Sequence, residues 1–153
     1  MVTGHRPDQL RPEQVCRGVL GISDSIDTFS KEWGGNWSGL CGMARGFDLE
    51  FAKVCAELQV PLHAYIPFPQ QTSTGSAWSD EDRVGYLDLV NYSTTAQVFG
   101  TRPSVQSYHA RNDAMLRDCT HVLAVWDGRE RGGTWSVIWK ARALDKPLTI
   151  VEV

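Results

Sequence analysis

Short, continuous apolar runs alternate along the chain with segments in which apolar residues recur at helical spacing. The runs are MVT, WSGLC, LHAYIPF, TAQVF, HVLAVW and LTIVEV, and their length is typical of buried strands. Between them, apolar residues lie three and four positions apart, as at Val15, Val19, Ile22 and Ile26. Strands and helices in this order predict an α/β fold with a mostly parallel central sheet, which helices cover on both faces.

Proline, glycine and capping residues set the limits of the predicted elements. Pro12 suits the first turn of a helix that ends before Gly34. Ser79 and Asp82 form a capping-box pattern, which predicts a short helix through Leu89. The polar segment 69–77 is predicted to be a loop. The spacing of apolar residues predicts further helices over 47–58, 108–119 and 135–142.

Composition and charge narrow the class of protein. Apolar residues make up 42% of the 153 residues, which fits one domain spanning residues 1–153. The formal net charge of -3 disfavours nucleic acid as a partner, although it is compatible with a local basic cleft. No apolar run approaches the length of about 18 residues that spans a bilayer, so we expect no membrane partner. The cysteines form no paired motif, so we expect reduced core thiols and a cytoplasmic location; they are Cys16, Cys41, Cys55 and Cys119.

Unusual motifs follow the predicted strands. GHRP follows the first strand, GMARGFD the second, PFP the third, GTRP the fourth and DGRERGGT the fifth. In parallel sheets the loops after the strands converge at one edge, and ligands bind there. The coincidence predicts a ligand site at the carboxyl ends of the strands.

The motif GMARGFD opens the second predicted helix with two glycines. Gly42 and Gly46 allow a tight turn and a close approach of the backbone to a ligand, so that amide groups and the helix dipole face an anion. Arg45 would add charged donors, and Asp48 would accept a hydrogen bond from a sugar hydroxyl. The alternative is a glycine-rich turn with a capping Asp48 and a solvated Arg45.

The motif DGRERGGT offers a second cradle at the start of the last helix. Gly132, Gly133 and the Thr134 hydroxyl are suited to phosphate or ribose. Trp78, in a polar loop, is the candidate for stacking on a base, whereas Trp135 and Trp139 are expected in the core. No motif of a metalloprotease, a serine hydrolase or a P-loop protein occurs in the sequence.

Five blocks, taken in order, resemble the SLOG superfamily of Rossmann-like nucleotide-binding proteins, and within it the YpsA-like branch. They are VTGHRP, GMARGFDLEFA, YIPFPQQ, YHARNDAM and the long block from Val122 to Val151. The resemblance implies a Rossmann-like three-layer sandwich. It also implies that one pocket for a nucleotide derivative is lined by Gly4, His5, Arg6, Gly42, Arg45, Gly46, Asp48, Arg111, Asn112, Gly132, Gly133 and Thr134. From their helical position alone, Arg111 and Asn112 could equally lie on a solvated face.

Two groups of relatives imply alternative functions. The lonely-guy enzymes and the nucleoside deoxyribosyltransferases cleave N-glycosidic bonds with a glutamate three residues after the threonine of the last-helix loop, where this chain has Val137. That chemistry would require Asp48 or Asp127 to substitute. The DNA-processing protein A family has a block similar to GMARGFD in its single-strand-binding domain, which makes single-stranded DNA the third alternative.

The sequence therefore predicts a protein that binds a phosphorylated nucleoside or an ADP-ribose-like molecule, as a sensor or a sequestering protein. We expect a homo-oligomer and no metal site, and the sequence identifies no cofactor beyond the nucleotide or ADP-ribose-like ligand. Asp48 is the predicted general base or nucleophile of any reaction. The predicted binding residues are Gly4, His5, Arg6, Gly42, Met43, Arg45, Gly46, Asp48, Phe68, Trp78, Arg111, Asn112, Asp127, Gly128, Gly132, Gly133 and Thr134.

Overall fold

A computed structural model of the protein describes residues 1–73 and 78–153. Among these residues, strands and helices alternate as the apolar pattern predicts. The strands are β1 (Val2–Gly4), β2 (Gly39–Cys41), β3 (Leu62–Ile66), β4 (Thr95–Val98), β5 (Val122–Trp126) and β6 (Leu148–Glu152). The helices are α1 (Pro12–Glu32), α2 (Phe47–Glu57), α3 (Asp80–Tyr92), α4 (Val105–Asp118) and α5 (Gly132–Ala143).

Local signals account for most of the element limits. The predicted capping box of Ser79 and Asp82 is present at the start of α3. β3 ends at Ile66, directly before a proline that cannot donate to the ladder. Of the predicted loop 69–77, Gln71–Ser73 forms a 3-10 turn, and residues 74–77 lie outside the described residues.

The strands form two parallel three-stranded sheets, in the orders β1-β5-β6 and β2-β3-β4. Val2 lies opposite Leu123, and Gly39 lies opposite Leu62. β1 also contacts β2. The strands β2, β3 and β4 therefore follow one another on one side of β1, whereas β5 and β6 lie on its other side. The predicted α/β fold with a mostly parallel sheet is confirmed, and the strand order reverses between β1 and β5.

Helices cover the two faces of the sheets with separate apolar clusters. On one face, Ile22 of α1 and Phe51 of α2 pack with Leu62 of β3. On the other face, Leu116 of α4 and Val137 of α5 pack together. The result is a three-layer arrangement whose loops meet at the two edges of the sheets.

Three expectations about burial are wrong. Trp139 is 60% exposed, because it lies on the outer face of α5, opposite the face that packs on the sheet. Cys16 is exposed on α1, although the other three cysteines are buried and free. All four residues of the edge strand β4 are exposed, so the helices do not cover the sheet completely. None of the described helices combines the length and the apolar character needed to cross a membrane.

Candidate functional site

A cleft of about 620 Å³ lies beyond the carboxyl ends of β1 and β5, where the strand order reverses. The loops after these two strands diverge to opposite faces and leave a crevice, which is the usual ligand site of an open α/β sheet. Nine of the predicted residues line it: Gly4, His5, Arg6, Asp48, Arg111, Asn112, Gly132, Gly133 and Thr134. Four elements supply them, namely the loop after β1, the start of α2, the middle of α4 and the start of α5.

The loop after β1 places His5 against the end of β5. His5 is buried, and its Nε2 lies 3.0 Å from Oδ1 of Asp127, an ion-pair distance when the ring is protonated. Burial lowers the pKa of His5 below its ordinary value, and the Asp127 carboxylate offsets only part of this effect. The ring is therefore kept mainly neutral at neutral pH.

Asp127 lies behind the cleft, between His5 and Arg129. The Arg129 side chain donates to the Asp127 carboxylate, and the backbone amide of Arg129 donates to Oδ1 at 3.1 Å. Burial acts to raise the pKa of Asp127, but the hydrogen bonds from Arg129 outweigh it and hold that pKa below its ordinary value. The carboxylate is thus committed to Arg129 and to the neighbouring imidazole.

The lowered pKa of His5 predicts a loss of stability in acid. Below the ordinary histidine pKa of about 6.5, the unfolded chain binds a proton that the folded His5 resists, so stability falls as pH falls. We expect His5→Gln to reduce this loss between pH 7.5 and pH 5.5 in urea unfolding, although the similarly lowered pKa of His121 leaves part of it. His109→Gln, at an exposed position, is the matched control. A pH dependence equal to that of the unaltered protein would contradict the assignment.

On the other side of the cleft, Asp48 of α2 pairs with Arg111 of α4. Nη1 of Arg111 lies 3.5 Å from Oδ2 of Asp48, and the side chains are only 7% and 9% exposed. The amide of Ala44 donates to the same Oδ2 at 3.3 Å. Nε of Arg111 is buried with no hydrogen-bond partner among the described residues. The pair is therefore largely buried at the wall of the cleft, where Asp48 is held by Arg111 and by the Ala44 amide.

Gly42 makes room for this ion pair. A Cβ atom at Gly42 would lie 1.5 Å from Nη1 of Arg111 and 2.7 Å from Oδ2 of Asp48. No other residue fits without moving the guanidinium. In the structure, glycine is required at position 42 because it leaves space for the Asp48–Arg111 pair, whereas the sequence predicted that it allows close approach to a ligand.

Burial governs the ionisation of Asp48. It raises the pKa of the carboxyl above its ordinary value, while Arg111, the Ala44 amide and Arg6 act in the opposite direction. A carboxyl of this kind, at the wall of a cleft, is suited to proton transfer or to accepting a hydroxyl hydrogen bond. Asp48 is the acidic residue among those that line the cleft.

The start of α5 faces the cleft without a side-chain cap. The N-cap residue Arg131 is extended, and its side chain makes no capping hydrogen bond. Gly132 adopts a φ of 82°, a left-handed conformation that favours glycine. The amides of a first helical turn lack intrahelical partners and carry the positive end of the dipole. Gly133 and Thr134 therefore present an anion-binding corner to the cleft.

Arg45 and Gly46 border a different groove, together with Phe47 and Glu50. Arg45 forms an ion pair with Asp8, which turns it away from the cleft. Gly46 caps α2 with a φ of 98°. Of the GMARGFD motif, the cleft is thus bordered by Ala44 and Asp48.

The predicted stacking residues are buried rather than exposed to the cleft. Phe68 is fully buried, and Trp78 packs edge-on against Tyr86 within the core. Met43 is also buried and supports the loop through its carbonyl, which accepts a hydrogen bond from Gln71. Gly128, with a φ of 83°, shapes the turn after β5. A polar local sequence does not reveal that an aromatic side chain folds back into the core.

Eight residues that line the cleft were not predicted from the sequence, and the long polar or aromatic side chains among them are those of Gln9, Tyr108, Arg129 and Arg131. Tyr108 lies three and four residues before Arg111 and Asn112, so helical spacing alone could have placed it on their face. Arg129 and Arg131 belong to the DGRERGGT motif, from which the sequence predicted Asp127, the glycines and Thr134 as site residues but neither arginine. Phe68 packs edge-on behind the Tyr108 ring.

No protein-family model matches the sequence, and no curated protein does so significantly. Among solved structures, the fold is similar to that of DNA processing protein A from Streptococcus pneumoniae, with a TM-score of 0.62 and 13% sequence identity. The match covers 97% of this chain and 49% of that chain, so this chain spans about half the length of its structural neighbour. At this sequence identity the similarity shows the Rossmann-like fold alone, and it distinguishes neither a superfamily nor a branch.

The prediction that nucleic acid is disfavoured as a partner is wrong. It rested on the net charge of -3, yet a DNA processing protein carries a fold that matches 97% of this chain. Net charge averages over the whole surface, whereas the cleft is lined by the four arginines Arg6, Arg111, Arg129 and Arg131. The negative net charge of the whole chain therefore does not indicate the charge of the cleft.

Proposed function

We propose that this protein binds a phosphorylated nucleoside, or a larger ADP-ribose-like derivative, in the arginine-lined cleft. One observation carries the proposal: four arginines and the uncapped start of α5 border the same cavity of about 620 Å³ at the reversal of the strand order. A cavity of this size suits a small ligand. The order of the sequence motifs supports assignment to the YpsA-like branch as part of the same proposal.

Each part of the ligand has a proposed partner. The phosphate accepts hydrogen bonds from the amides at Gly133 and Thr134 and from Arg131. Asp48 accepts a hydrogen bond from a ribose hydroxyl. Tyr108, held edge-on by Phe68, is the aromatic side chain at the wall of the cleft and packs against the base.

We propose that the ligand is bound without being cleaved. The glutamate of the related glycosidases is replaced by Val137, which is 1% exposed and packed in the apolar cluster under α5. A buried valine can neither stabilise an oxocarbenium-like centre nor form a glycosyl adduct. Asp48 and Asp127 are the remaining candidates for such chemistry, but Arg111 engages Asp48 and Arg129 engages Asp127.

A thermal-shift screen of nucleotides and ADP-ribose, followed by chromatography of the mixtures, tests this function. At a ligand concentration of about 100 times Kd, binding stabilises a protein by about 2.7 kcal/mol, which raises Tm by about 5–10 °C at this size. We expect such a shift with the ligand recovered intact. Release of free base, lost in Asp48→Asn, would establish a glycosidase instead.

Single-stranded DNA is the second candidate, and the structural similarity to DNA processing protein A favours it. Phosphates along a strand would follow the arginines of the cleft, with Tyr108 as a stacking surface. Gel retardation of an oligonucleotide that weakens steeply between 50 and 200 mM salt, without any thermal shift by mononucleotides, would favour this function.

A further inference from the structure

The four arginines at the cleft differ in the partners that they already have. Arg129 donates to the Asp127 carboxylate through its guanidinium and also to the carbonyl of Gln9 at 3.3 Å. Arg111 pairs with Asp48. Arg111 and Arg129 therefore each have a carboxylate beside the guanidinium, and these contacts hold the two side chains in place.

Arg6 and Arg131 make no ion pair within the described residues. Both side chains are exposed, and both line the cleft. Arg6 lies on the loop after β1, and Arg131 lies at the start of α5, so the two flank the point where the strand order reverses. The charge of Arg6 acts on Asp48 without an ion-pair contact, so both guanidiniums can turn towards a ligand.

The charge that remains for a ligand follows from this division. The pairs Arg111–Asp48 and Arg129–Asp127 cancel, which leaves the two charges of Arg6 and Arg131 together with the positive end of the α5 dipole. A phosphodiester carries a single negative charge. A terminal phosphomonoester carries about -1.5 to -2 at pH 7 and offers three strong acceptor oxygens.

We propose that the cleft selects a terminal phosphomonoester over a phosphodiester, and that Arg6 and Arg131 determine this selectivity. The inference rests on the proposed function and narrows its ligand to a phosphate that carries more than one negative charge. The phosphomonoester has two sources with the same chemistry, a free mononucleotide or the 5′-phosphorylated end of a strand. In both, the two arginines close on the phosphate from either side while the α5 amides hold it.

Isothermal titration with 5′-AMP and with 3′,5′-cyclic AMP tests the selectivity, because the two share a base and a ribose but differ by one phosphate charge. We expect 5′-AMP to bind at least about tenfold more tightly at 0.1 M salt. Equal affinities, or tighter binding of the cyclic diester, would overturn the selectivity while leaving nucleotide binding in place. Absence of binding by either nucleotide and by the oligonucleotides below would overturn the proposed function itself.

Arg6→Gln and Arg131→Gln test the assigned residues. Each is expected to weaken 5′-AMP binding about tenfold and to bring its affinity closer to that of the cyclic diester, with little change in Tm because both side chains are exposed. Arg17→Gln, exposed on α1 and outside the cleft, is the matched control and should bind as the unaltered protein does. Retained selectivity in both cleft variants would contradict the assignment.

Two oligonucleotides of one sequence, with a 5′-phosphate or a 5′-hydroxyl, distinguish the sources. Tighter binding of the phosphorylated strand identifies a strand end as a ligand, and binding of 5′-AMP alone identifies the free nucleotide; both results support the selectivity. Equal binding of the two strands, tighter than that of 5′-AMP, would overturn it.

Discussion

Asp48→Ala is expected to destabilise the fold by about 3–5 kcal/mol, because it leaves the guanidinium of Arg111 buried without a counter-charge. Arg111 is 6% exposed, and its Nε already lacks a hydrogen-bond partner among the described residues. Loss of the carboxylate also leaves the Ala44 amide without its acceptor. Since domains of this kind are stable by about 5–15 kcal/mol, the loss is large enough to see directly in urea unfolding.

Asp27→Ala is the matched control, because Asp27 pairs with Lys31 on the exposed face of α1. Removal of that surface partner is expected to cost less than about 1 kcal/mol. The double variant Asp48→Leu with Arg111→Met should recover much of the lost stability, since it removes both buried charges. A loss as small as that of the control would show that water reaches the Asp48–Arg111 pair.

Gly133→Asp is expected to weaken nucleotide binding by about 100-fold without destabilising the protein. A carboxylate in the first turn of α5 would repel the phosphate in the corner where we place it, and like charges in a binding site cost several kcal/mol. The same carboxylate complements the helix dipole, which favours folding by about 0.3–1 kcal/mol. No atom of residues 1–73 or 78–153 lies within 4 Å of a Cβ built at Gly133, so a side chain can begin there without a clash.

Gly133→Ala separates charge from bulk at this position. It should retain binding within a few-fold, since it leaves the amides and the dipole in place. Titration of 5′-AMP into both variants, with urea unfolding alongside, gives the comparison. Equal affinities for the two variants would place the phosphate elsewhere in the cleft.

The fold could be predicted because its strands and helices differ in the spacing of their apolar residues along the sequence. Apolar residues three and four positions apart predict α1 and α2, and a continuous apolar run predicts β5. The prediction for Trp139 was wrong because it lies four positions after Trp135, a helical spacing that does not show whether the face they share packs on the sheet or faces solvent. The exposure of β4 depends on which helices reach the edge of the sheet, and local sequence does not record that.

The sequence predicted the site correctly where backbone position alone brings a residue to the cleft. Residues at the ends of β1 and at the start of α5 reach the cleft because parallel strands deliver their loops to one edge. Side-chain roles were harder to predict. Gly42 accommodates an arginine that lies 69 positions later in the chain, and Phe68 supports Tyr108 instead of facing a ligand. Such roles depend on tertiary contacts between distant segments.

An amide NMR titration of the isotopically labelled protein with 5′-AMP tests the proposed phosphate site. We expect the largest shifts on the amides of Gly132, Gly133 and Thr134, with further shifts at His5 and Arg6 across the cleft. Shifts confined to the separate groove around Gly46 and Glu50, or no shifts at millimolar 5′-AMP, would show that the start of α5 and the loop after β1 do not hold one phosphate between them.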